Sequence, residues 1–130
     1  FIDDDITYQN PVDWNDPNAA PTDLLGIVAE QNVLIANNSN NVGGDINIHA
    51  SIYCQQGGFG VENYGSFSKS GKIQLKGGIT QRVRRPVGTF SGGSVSTGFS
   101  KDYRYDSRLK FNFPPGYPST GEIQIYSWLE

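Results

Sequence analysis

Apolar and polar residues alternate along Ile46–Cys54. Ile46, Ile48, Ala50, Ile52 and Cys54 fall on one side, and Asn47, His49, Ser51 and Tyr53 on the other. Alternation with period two puts one face of a strand in a core and turns the other toward water. Shorter versions of the pattern recur along the chain. They predict strands over Ile2–Tyr8, Gly26–Ala29, Val33–Ala36, Asp45–Cys54, Gly60–Glu62, Lys72–Leu75, Ile79–Val83 and Glu122–Trp128. Helical periodicity is missing except over Thr22–Ala29, where Thr22 or Asp23 would cap a short turn. Gly, Asn, Pro and Ser break every apolar run within about ten residues. The chain reads as all-β.

The arrangement of these strands follows from what joins them. Two-residue hairpins favour Asn-Gly or Asp-Gly, and neither pair occurs in the chain. Instead GIVAEQNVLI (Gly26–Ile35), INIHASIYCQ (Ile46–Gln55) and IQLKGGITQ (Ile73–Gln81) repeat one motif. Superposing Ile27, Ile48 and Leu75 places a small residue two positions later each time: Ala29, Ala50 and Gly77. Recurrence at this spacing predicts a short right-handed parallel β-helix, a solenoid of about three to four coils. Asn37, Asn38, Asn40 and Asn41 are expected to stack at its corners. One domain is expected over 1–130, with coils over 1–89. Residues 90–130 are expected to form an irregular aromatic and Pro-rich strap with a closing strand.

Composition narrows the function classes. The net charge of −3 argues against binding a nucleic-acid phosphate backbone. No apolar run reaches the roughly 18 residues of a membrane span, so no membrane contact is expected. The chain contains no methionine, so a processed product or an excised piece of a longer protein is expected. Its single cysteine, Cys54, excludes an internal disulfide and a cysteine-based zinc site. Lying on the apolar side of its strand, Cys54 is expected to be a buried thiol.

Chemistry-bearing residues are few. His49 is the only histidine, and it falls on the polar side of its strand with Ser51. Stacking Ala29 on Ala50 would bring Glu30 alongside, and Lys76 would extend the stripe. Glu30, His49, Ser51 and Lys76 are therefore candidate contacts for a carbohydrate or a partner, as are Arg82 and Arg84 of the basic cluster. A general base needs such neighbours, yet an ordinary polar outer face accounts for the same pattern, and no catalytic residue is assigned. Arg82 and Arg84 are also expected to pair with Asp102 and Asp106. Asp3, Asp5 and Asp45 form a weak calcium candidate, since Ca²⁺ takes six to eight oxygens. No EF-hand loop or Gly-Gly-x-Gly-x-Asp array accompanies them, and no cofactor is expected.

The blocks DLLGIVAEQNVLIANN, DINIHASI, GFGVENY, GGITQRVRRPVGTF, GFSKDYRYDSRL and PPGYPSTGEIQIYSW together resemble the family known as domain of unknown function 4900. The resemblance spans about Ile2 to Trp128. It implies the C-terminal region of PilX-like, type IV pilin-like bacterial envelope proteins, on the extracellular side. The function it implies is a non-catalytic structural or adhesive module of a cell-surface or pilus-like assembly. Its partners would be copies of itself or other envelope subunits, meeting at the solenoid ends. The alternative is a β-helix that binds or acts on a surface polysaccharide.

Overall fold

The computed structural model describes residues 1–8, 23–110 and 114. Eight strands follow in order: β1 (Gly26–Ala29), β2 (Val33–Ile35), β3 (Ile46–Cys54), β4 (Phe59–Val61), β5 (Lys72–Gln81), β6 (Gly88–Ser91), β7 (Ser94–Gly98) and β8 (Ser100–Tyr105). A 3₁₀ turn, Ser107–Lys110, is the one helical element among the described residues. No helix there is long and apolar enough to cross a membrane.

The largest sheet is parallel, in the order β1-β3-β5-β8. Its longest ladder sets Ile46 opposite Ile73, Ile48 opposite Leu75 and Ile52 opposite Ile79. These six side chains are buried and form the middle of the core with Phe67 and Phe99. Cys54 lies among them, as its place in the alternation predicts, and burial pushes its thiol pKa up. The opposite face carries Asn47, His49 and Ser51 beside Gln74, Lys76 and Gly78.

A parallel β-helix with an irregular strap is not what forms. The strands divide into three small sheets, of four, two and two strands. The β2-β4 pair is parallel and the β6-β7 pair antiparallel. β7 and β8 occupy sequence expected to be irregular, because Gly-Gly replaces Asn-Gly in a hairpin. Gly92 (φ 60°) and Gly93 (φ 83°) supply the two positive angles such a turn needs. Thr89 and Thr97 share a hydroxyl hydrogen bond of 2.7 Å across that hairpin. The expected closing strand Glu122–Trp128 lies outside the described residues, as do Phe111, Phe113 and Tyr117 of the expected strap.

The register differs from the sequence expectation in an instructive way. Ala50 lies opposite Gly77 as expected, but Ile27 pairs with Ile52 and Ala29 with Cys54, four positions along. An even shift keeps every apolar side chain on the same face, so alternation alone cannot select between the two registers. The N-terminal segment makes the selection. Ile6 bridges Ile48, donating to Asn47 O (2.9 Å) and accepting from His49 N (2.7 Å). That part of the β3 edge is thus taken, and β1 joins farther on, with Ser51 N donating to Leu25 O (2.8 Å).

Side-chain oxygens complete the ladders where the backbone turns away. Asp5 Oδ1 accepts from Asn47 N and Asp45 Oδ1 from Lys72 N, both at 2.8 Å. Asn32 Oδ1 does the same for Gly58 N, and Gln81 Oε1 for Phe59 N. The asparagines after β2 make local turns rather than stacks. Asn38 Oδ1 accepts from the amides of Asn40 and Asn41, and buried Asn41 donates to the carbonyls of Ile2 and Ala36. The Asn38 turn satisfies backbone groups within a few residues, while Asn41 and Asn38 also reach the carbonyls of Ile2 and Asp3 in the N-terminal segment.

At the centre of the β3-β5 ladder, Ala50 is fully buried and a Cβ built on Gly77 would collide with its carbonyl oxygen. Ala50→Leu and Gly77→Ala are each expected to destabilise the chain by about 1–3 kcal/mol through overpacking. Urea unfolding monitored by tryptophan fluorescence checks this, as a lowered midpoint at unchanged slope.

Candidate functional site

Chain segments distant in sequence converge on the polar face of the large sheet. Ile6 and Leu25 bond to successive parts of the β3 edge. Beyond β8, the backbone returns over the same face, and Asp106 N donates to Gly77 O (3.0 Å). Leu109 packs there over Gly78. His49 and Ser51, expected in water, are only 8% and 4% exposed.

The side chains at this junction form a stack. Tyr8 N donates to His49 Nδ1 (3.0 Å), and the two rings are tilted with centroids 5.3 Å apart. The Arg108 guanidinium lies 5.4 Å from the centroid of the Tyr8 ring. Behind it, Arg108 forks onto Asp106, with Nε at 3.1 Å from Oδ1 and Nη2 at 2.7 Å from Oδ2. The carboxylate is nearly inaccessible and the guanidinium largely covered. Tyr8 Oη accepts from Leu25 N (3.1 Å), which ties the returning chain to the departing one.

The electrostatics follow from this enclosure. Burial, then the Lys76 ammonium opposite it, lowers the His49 pKa below 6.5; Arg108 adds to that, while Asp106 and Asp5 oppose it. The ring is neutral at pH 7. Its Nδ1 is an acceptor, so its proton sits on Nε2. Burial raises the Tyr8 pKa. The hydrogen bonds to Asp106 raise that of Arg108. A histidine whose acceptor nitrogen is taken by a backbone amide is poorly placed to remove a substrate proton.

The other sequence candidates are dispersed. Lys76 is opposite His49 in the ladder, and Ser51 lies two residues along. Glu30 follows Ala29, which pairs with Cys54; six residues of strand from His49 is roughly 20 Å. Arg82 and Arg84 are exposed beyond the end of β5. Asp102 and Asp106 pair instead with Arg104 and Arg108, two residues farther along. The carboxylates of Asp5 and Asp45 are engaged by backbone amides, and Asp45 Oδ2 also accepts from Gln74 (2.9 Å). Among the described residues no three His, Cys, Asp or Glu side chains could hold a metal ion.

Sequence reasoning singled out Asp106 as an ion-pair partner of Arg82 or Arg84, and missed Tyr8 and Arg108. Asp-x-Arg spacing in YDSRL was the one available signal, since a tight turn brings such a pair together.

Comparison of the chain with models of known families, with curated proteins and with solved structures finds no match.

Two outcomes are expected at this junction. Arg108→Ala leaves the Asp106 carboxylate buried without its partner and should cost about 3–5 kcal/mol, whereas Asp106→Asn with Arg108→Gln should recover part of that loss. Thermal unfolding of the two variants checks it. The second concerns pH. A folded-state pKa held below the ordinary value means that the unfolded chain binds the proton more readily. The contribution of neutral His49 is full above about pH 6.5 and is lost as pH falls through the lower folded value. His49→Gln should flatten that part of a stability–pH curve measured by urea titration.

Proposed function

We propose that the chain is a non-catalytic structural or adhesive module of a bacterial cell-surface or pilus-like assembly. The observation that carries this reading is the closure of the polar face. His49 and Ser51, the best-placed candidates for acid–base or nucleophilic chemistry, lie beneath Asp106–Leu109 and Tyr8. Their bonds tie the chain to itself. Glu30, the candidate acid expected beside them, stands at the far end of β1.

The envelope setting is supported by the sequence blocks that resemble the 4900 family, and the extracellular side follows from the same resemblance. Copies of the chain or other envelope subunits are the partners this reading calls for, and exposed strand edges are natural places for them to add.

Incubation with a panel of bacterial surface polysaccharides is expected to release no reducing ends. Antibody against the chain is expected to label intact cells of the organism that makes it. Reducing ends that appear with the native chain and vanish with a folded His49→Gln variant would contradict the non-catalytic reading. Labelling only after permeabilisation to the cytoplasm would contradict the surface assignment.

A further inference from the structure

Away from the closed face, an open cleft of about 660 Å³ runs beside the β2-β4 pair. This is within the range of small-ligand sites, about 300–1,000 Å³. Phe1, Val61, Glu62, Asn63, Tyr64 and Arg85 line it. We propose that this cleft binds an acidic saccharide, with Arg85 pairing a sugar carboxylate and Tyr64 stacking on a pyranose ring. The proposal deepens the adhesive half of the reading above by giving it a ligand class and a site.

Three observations carry it. The first is the chemistry of the lining. Arg85 is half-buried, and among the described residues its side chain has no hydrogen bond or ion pair. A guanidinium presents a planar fork that fits a carboxylate in two parallel hydrogen bonds. Glu62 shares the cleft, but its Oε2 already accepts from Asn37 N (2.8 Å). Among the described residues, Arg85 is thus the one cationic side chain on the cleft lining, and it stands there without a partner.

The second is exposed aromatic surface on the cleft walls. Tyr64 is 41% exposed. A pyranose offers an apolar face of C–H groups flanked by hydroxyls. An exposed phenol matches both parts, with a flat apolar ring and a polar tip.

The third is preorganisation. The turn that carries Tyr64 is fixed at several points. Glu62 N donates to Ile35 O (2.9 Å), Ser66 N to Asn63 O (2.9 Å) and Thr97 Oγ1 to Tyr64 O (2.7 Å). Phe67, three residues beyond Tyr64, is fully buried against Phe99. Asn63 adopts a positive φ of 50°, a conformation that residues other than glycine enter rarely and that asparagine tolerates. The backbone beneath the ring is therefore set before any ligand arrives, which lowers the cost of binding.

Calorimetric titration with short galacturonate oligomers, and with neutral cello-oligosaccharides of equal length, tests this. Galacturonate is expected to bind, and the neutral oligomers to bind at least tenfold more weakly. Arg85→Ala and Tyr64→Ala should each weaken galacturonate binding on the order of tenfold, about the loss of one charged hydrogen-bonded contact. Phe90→Ala, an exposed aromatic on the β6-β7 hairpin, should leave it unchanged, and circular dichroism should show all three variants folded. Absence of galacturonate binding overturns the proposal, as does equal affinity for neutral oligomers or binding that survives both cleft substitutions. Release of reducing ends in the same samples would contradict the non-catalytic reading without affecting the cleft assignment.

Discussion

The buried fork between Asp106 and Arg108 is the interaction on which the rest of the arrangement depends. It brings a cation against the ring of Tyr8, and Tyr8 in turn holds His49 through its amide and Leu25 through its hydroxyl. One ion pair thus joins the N-terminal segment, the start of β1, the middle of β3 and the chain beyond β8. The ion pair itself gains little over a well-packed apolar pair. Its value is positional, because it fixes which segment lies against which.

That closure divides the molecule into two kinds of surface. Over the large sheet, polar side chains are spent on internal bonds, and the histidine is held neutral with its acceptor nitrogen occupied. Beside the β2-β4 pair, by contrast, a half-buried arginine without a partner among the described residues and the exposed ring of Tyr64 line an open cleft. Polar groups that bind their own chain stabilise a fold, and polar groups left unpaired at a cleft are available to something else. The proposed module function and the proposed saccharide site are two sides of this division.

Much of the strand content was legible in the alternation. β1, β2, β3 and β4 fall within a residue of their expected limits. β5 runs through Lys76–Gly78 as one strand because adjacent glycines on a buried parallel strand permit close approach of a neighbour. The hairpin was hidden by its turn chemistry, in which two glycines do the work of Asn-Gly. The register of β1 was hidden for a deeper reason. A shift of four residues preserves the side on which each apolar group falls, and only occupancy of the β3 edge by Ile6 breaks the tie. The site was less legible than the fold. Outward-pointing His49 and Ser51 were readable, but their cover was not, since Tyr8 and Asp106 lie 41 and 57 residues from His49 in sequence. The cleft residues carry no motif and are gathered only by the fold.

Native-state hydrogen exchange resolved by residue tests the central claim most directly. The amides of Tyr8, Ser51 and Asp106 donate to His49, Leu25 and Gly77 respectively. If the junction holds the fold together, all three open only with the whole molecule and share the exchange free energy of Ile48 in the core. If Tyr8 and Asp106 instead exchange as fast as exposed loop amides while Ile48 stays protected, the junction is a surface decoration and the fold does not depend on it.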